Sequence, residues 1–163
     1  MIILGIDPGV GRLGWGVVEV QGGKCKAQGF GCIETEKEKR LEERIQEIYE
    51  QVRKLITHYT PEVLAIEELF FGTNVTTAFT VGQARGVVLL AASQAGMPIF
   101  TYSPQAVKIA VTGYGKADKK QVGEMVKVLL KLKTVPSPDD TADALAIALT
   151  HAFSYKLQKS MLG

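Results

Sequence analysis

Three short apolar runs bounded by glycine open the chain, and then the period of its apolar positions changes. "MIILGID", "GWGVVEV" and "KCKAQGFGCIET" read as strands separated by the turns "DPGVGRL" and "QGG", which predicts an antiparallel meander. From about Lys39 to His58, Leu41, Ile45, Ile48, Val52 and Leu55 recur at spacings of three and four, an amphipathic helix that Pro61 ends. "EVLAIEE" is a short apolar strand, "NVTTAFTVGQARGVVLLAASQAG" a long helix closed by Gly96, and "MPIFTYS" a further strand. Strand alternating with helix predicts parallel pairing in this part. Helices follow from about Pro104, Asp118 and Pro138, and the basic, Gly-rich "TGYGKADKK" leads into the second of them.

Composition adds bounds to this picture. The chain has 163 residues, 46% hydrophobic and 22% charged, without a repeat or an interdomain linker, so a single domain over residues 1–163 is expected. A chain of that size removes roughly 70% of its unfolded surface from water, enough for one substantial core. No apolar stretch is expected to reach the ~20 residues of a membrane span, and "MIILGI" lacks the basic flank and length of a signal peptide. A cytoplasmic protein with no membrane partner is the expectation. Cys25 and Cys32 match neither a C-x-x-C motif nor a disulfide framework and read as free thiols. The net charge of +2 is uneven: residues 1–99 hold 10 Lys+Arg against 12 Asp+Glu, and residues 100–163 hold 9 against 5. That distribution permits a polyanionic partner without requiring one.

Candidate chemistry lies in four carboxylates. Asp7 closes the apolar run "IILGI" and Glu67 closes "VLAI", so adjacent strands would present acids at their C-terminal ends, where open α/β sheets bind ligands. Glu68 is next door, and strand alternation points it to the opposite face. In "VPSPDDTADALAIALTHAF", Asp140 and Asp143 are three apart and share one helical face. Ser137 reads as the N-cap, Pro138 as the first helical residue and Asp139 as an ordinary first-turn acid. Asp143 lies beyond the first turn, before the apolar "ALAIAL", and a carboxylate so placed needs a partner. Convergent acids with little Cys or His around them favour Mg²⁺ or Mn²⁺ over Zn²⁺. Paired ions of that kind about 3.5–4 Å apart drive in-line phosphodiester displacement.

"GIDPG", "AIEELFF", "GQARG" and "DDTADALAIALTH" together, in this order and spacing, resemble the RuvC family of Holliday-junction resolvases over almost the whole chain. The resemblance implies an α/β, RNase H-like fold with a mixed five-stranded sheet flanked by helices. It also implies a homodimeric, Mg²⁺-dependent endodeoxyribonuclease that nicks opposed strands of a four-way DNA junction symmetrically in recombination and repair. By the same resemblance a pair of Mg²⁺ ions serves each site, with Mn²⁺ as a substitute, and the RuvA–RuvB branch-migration complex is a partner. The family's acidic quartet falls on Asp7, Glu67, Asp140 and Asp143, which selects Glu67 over Glu68. Some members carry His where this chain has Asp140. The family's base-wedging aromatic falls on Phe70, and two of its DNA-contacting lysines on Lys108 and Lys119, with Phe71 and Lys120 one residue away.

Other residues read differently. Arg85 sits mid-helix, where an i, i+4 or surface role is expected. His58 and His151 lack ligand-like company and are expected at the surface or in packing, and Gly82 and Gly86 suit close helix packing. "DPGVGRLGWGV" also resembles the first phosphate loop of actin-like and sugar-kinase ATPases. Those enclose nucleotide between two domains, and this chain has no second Asp-Gly loop.

Overall fold

The computed structural model describes residues 1–69 and 75–155, together with the backbone of 156–162. Strand β1 (Ile2–Asp7) pairs antiparallel with β2 (Arg12–Gln21), and β2 pairs antiparallel with β3 (Lys24–Glu34), the expected meander. After helix α1 (Leu41–Tyr59), β4 (Val63–Glu67) returns parallel to β1, and after α2 (Val75–Gln94), β5 (Ile99–Tyr102) adds in parallel at the edge. The sheet order is β3-β2-β1-β4-β5. Helices α3 (Pro104–Thr112), α4 (Lys119–Leu129) and α5 (Asp139–Leu162) complete the chain. This is the mixed five-stranded α/β arrangement that the sequence implied.

Two apolar layers sandwich the sheet, and strand alternation sorts residues between them. Ile3, Val18, Val63 and Ala65 meet α3, α4 and α5, in a layer that includes Val107, Val122, Leu145 and Leu149. Leu4, Ile6, Val17, Leu64 and Ile66 meet α1 and α2 through Ile48, Val52, Ala84 and Val88. Parity then carries Asp7 and Glu67 to the α5 side, in step with Ile3 and Val63. Glu68 falls on the other parity and is exposed.

Helix α5 lies almost on the sheet backbone. A Cβ built on Gly14 would stand 1.8 Å from the Asp140 carbonyl oxygen, and one on Gly5 would stand 2.2 Å from that of Ala144. Only hydrogen at these two strand positions admits the helix so closely, and the closeness brings its first turns against β1 and β2.

Two local expectations need correction. Helix α5 begins at Asp139, not at Pro138 with a Ser137 cap: the Ser137–Pro138 peptide is cis, and the Pro138 carbonyl accepts from Thr141 N at 2.9 Å. Helix α2, against expectation, is long and apolar enough by length and composition to cross a membrane. Ala84, Val88, Ala91 and Ala92 nonetheless bury one side of it in the second layer, as in the wall of a folded domain.

Candidate active site

Five elements, β1, β4, α3, α4 and α5, meet at the C-terminal ends of the two strands. A cleft of about 280 Å³ opens there, lined by Asp7, Glu67, Lys108, Lys119 and Asp143 above a floor that includes Val107, Val122 and Ile147. Lys108 comes from α3, whose start is set by Pro104 in the first turn and by Ser103 Oγ accepting from Ala106 N at 3.1 Å. Lys119 opens α4 behind a capping box, in which Asp118 Oδ1 accepts from Gln121 N and Gln121 Oε1 from Asp118 N, both at 2.8 Å. That cap fixes where the Lys119 stem leaves the backbone. An adjoining groove of about 450 Å³ runs past Lys120, Asp139 and Val135.

The acids repel one another. Burial first, then the charges of Glu67, Asp143 and Asp140, push the Asp7 carboxyl up to about 8. Burial and Asp143 raise Glu67, against the pull of Lys119 and Lys108. Burial also raises Asp143, although its Oδ2 accepts from Lys119 Nζ at 3.2 Å. Asp143 in return raises Lys119. Asp140 stands at the β2 side, with Oδ2 3.8 Å from Arg12 Nε. At Asp7 burial and three neighbouring acids outweigh the pull of Lys119, which favours added positive charge in the cleft.

Among the described residues, no three His, Cys, Asp or Glu side chains are gathered closely enough to hold a metal ion as they stand. The donor chemistry still fits one. Every acidic donor is a hard oxygen, and the Lys119 ammonium occupies the place beside Asp143 that a cation would take. Of the residues singled out in the sequence, Asp7, Glu67, Asp143, Lys108 and Lys119 share the cleft, Asp140 is not in its lining and stands beside Arg12, and Phe70 lies outside the described residues together with Phe71.

Two cations were not legible as site neighbours. Arg12 follows the first turn and faces Asp140. Arg85, expected in an i, i+4 or surface role, instead donates from Nε to the Glu67 carbonyl oxygen at 3.3 Å. His151 is a packing residue: it is buried, its Nδ1 lies 2.8 Å from Tyr102 Oη, and its ring centroid lies 4.4 Å from that of Phe100. Gly82 would carry a Cβ 3.4 Å from Leu69, whereas Gly86 meets nothing within 4 Å among the described residues.

A β-hairpin-led mixed sheet with carboxylates at the ends of its two central strands and a third acid delivered by the last helix defines a nuclease of the RNase H-like class. Residues 3–151 match the family model described as "Crossover junction endodeoxyribonuclease RuvC". The chain is 54% identical over 152 residues to the crossover junction endodeoxyribonuclease RuvC of Brevibacillus brevis, covering 93% of this chain and 92% of that one. The structure of Thermus thermophilus RuvC in complex with Holliday junction substrate superimposes with a TM-score of 0.92 at 42% identity, covering 97% and 96% of the two chains. The yeast mitochondrial Holliday junction resolvase Ydc2 shares the fold at a TM-score of 0.68, 13% identity and coverage of 96% and 82%. This chain belongs to the RuvC family, the divalent-metal-dependent endodeoxyribonucleases that resolve Holliday junctions.

Proposed function

We propose that residues 1–163 act as one RNase H-like nuclease domain in which Asp7, Glu67, Asp140 and Asp143 hold a pair of Mg²⁺ ions, with Mn²⁺ as a substitute. The observation that carries this reading is the cleft where Asp7, Glu67 and Asp143 converge with two lysines. Bound there, such ions supply the Lewis acidity that activates water and stabilises the leaving oxygen of a phosphodiester. The chain's own groups do the remaining work. Lys108 and Lys119 neutralise the approaching phosphate, and Lys119 exchanges Asp143 for that phosphate as the acids take up metal. Arg12 makes the same exchange beside Asp140. Phe70 stacks on an unpaired base at the open junction centre, worth ~1–3 kcal/mol.

Symmetric nicking requires two sites, and an apolar surface supports a homodimer. Helix α2 exposes Val75, Phe79 (68%) and Leu90 (49%), and the edge strand β5 exposes Ile99. An unpaired sheet edge beside such a helix suits a second copy. The reading extends to four-way junction DNA as substrate, the RuvA–RuvB complex as partner, and the cytoplasm as the place of action. The test is to incubate labelled four-way junction, duplex, RNA hybrid and ATP with the protein in Mg²⁺ or EDTA. Paired symmetric nicks in the junction alone, abolished by EDTA, are expected. Phe79→Asp should shift sedimentation toward monomer and convert paired nicks to single ones. Equal cleavage of duplex and junction would overturn the structure-specific reading.

A further inference from the structure

Arg85 lies between Ala84 and Gly86 on the apolar helix α2, is partly buried, and makes no ion pair with a carboxylate among the described residues. Both hydrogen bonds it makes among the described residues cross to the sheet. Nε donates to the Glu67 main-chain oxygen at 3.3 Å, and Nη2 to Thr101 Oγ1 on β5 at 3.4 Å.

The ladder explains why that carbonyl needs a donor. Leu64 and Glu68 give their amides to Pro98 and Tyr102, so the even-numbered peptides of β4 face β5, and those of Glu67 face β1. Pairing of β1 with β4 runs in register to Ile6 opposite Ile66. One step further, the amide due to meet the Glu67 carbonyl belongs to residue 8, which is proline and has no N–H. An unpaired carbonyl at a sheet end leaves the strand terminus without its last tie.

We infer that Arg85 is a positioning residue for junction cleavage: it replaces the ladder donor that Pro8 lacks and clamps the end of β4 from the α2 face. The Glu67 carboxylate on the opposite face is thereby kept on the cleft that Asp7 and Asp143 also line. The inference rests on the proposed role of Glu67 as a metal ligand. Arg85 does this through two directed donors on one planar group, a grip that lysine reproduces only in part.

The test compares wild type, Arg85→Met, Arg85→Lys, Thr101→Val and Glu67→Gln in single-turnover junction cleavage across a Mg²⁺ titration. Junction affinity in EDTA at several salt concentrations and thermal melting complete it. Arg85→Met should raise the half-maximal Mg²⁺ concentration about 10-fold or more, in the range that support of a metal ligand commands. Arg85→Lys should recover part of that shift, and Thr101→Val should show a smaller shift in the same direction. Junction affinity in EDTA should stay within about twofold of wild type with an unchanged salt slope.

An unchanged Mg²⁺ midpoint with normal cleavage per folded molecule, whatever the melting temperature, would reduce Arg85 to packing and overturn the inference. Weakened junction affinity with a slope smaller by about 0.9 and an unmoved midpoint would make Arg85 a phosphate contact and overturn it equally. If Arg85→Met does not fold, the Arg85→Lys and Thr101→Val midpoints decide the question. Full activity of Glu67→Gln would bring down the acidic-site reading itself, whereas an inactive Glu67→Gln beside an unmoved Arg85→Met midpoint brings down this inference alone.

Discussion

Replacing Asp7 with Asn keeps the shape of the side chain and removes an ionisable carboxyl from the site. In the folded protein the Asp7 carboxyl keeps its proton up to about pH 8, against an ordinary 3.8. Between those values the unfolded chain has lost the proton and the folded one has not. Each pH unit above about 4 therefore costs the metal-free fold about 1.4 kcal/mol, a loss that levels off above about pH 8. At pH 7 the accumulated cost is about 4 kcal/mol, and asparagine, which does not titrate, escapes it. A domain of this size gains about 2–4 °C in Tm per kcal/mol, so the ceiling is a rise of about 8–16 °C in EDTA. The same variant should lose cleavage by at least ~10²-fold, since it takes a ligand from the proposed metal cage. The assay is melting of both proteins in EDTA from pH 4 to 9, repeated with Mg²⁺. Asp7→Asn should melt higher at pH 7, the gap should close toward pH 4, and added Mg²⁺ should stabilise wild type far more than the variant. A variant that melts at or below wild type throughout, or that cleaves at the wild-type rate, would refute the reasoning.

Lys108→Ala and Lys119→Ala should each weaken junction binding and reduce the slope of log K against log salt by about 0.9, read by fluorescence anisotropy. Lys119→Ala should also lower the Mg²⁺ needed for half-maximal cleavage, because its ammonium no longer competes for Asp143. Gly14→Ala sets a methyl 1.8 Å from the Asp140 carbonyl oxygen and must push α5 away. A loss of about 3 kcal/mol in urea unfolding together with loss of cleavage is expected, and a wild-type melt would contradict it. Phe70→Ala should leave melting nearly unchanged and slow cleavage of intact junctions more than of junctions already unpaired near the cut.

Where local chemistry dictates structure, the sequence was readable. Apolar runs ending in Asp7 and Glu67, and the 3–4 spacing from Leu41 to Leu55, lead directly to β1, β4 and α1. Strand parity alone separates Glu67 from Glu68 once the layers are known. The sequence places the start of α5 one residue early because Ser137 and Pro138 suit the cap and first helical position, while the helix opens at Asp139. The partners of Arg12 and Arg85 were out of reach because they lie 128 and 18 residues away, and no periodicity encodes such contacts. A usable signal was passed over: glycines at alternate positions of "GWG" inside a strand mark a backbone that something approaches closely, and that something is α5.

The seat that glycine makes for α5 also sets a schedule. Asp7 leaves the ribosome near the start of synthesis, and Asp140 and Asp143 leave after the whole sheet and the lysine-bearing helices have been made. A nascent or prematurely terminated chain ending before residue 139 can contain all five strands and still lack the two acids that α5 brings. Incomplete copies of a DNA-cutting enzyme are dangerous in proportion to their residual activity. On the proposed acidic quartet, the order of the elements along the chain withholds two metal ligands until α5 has been made, so fragments ending before residue 139 should not cut DNA.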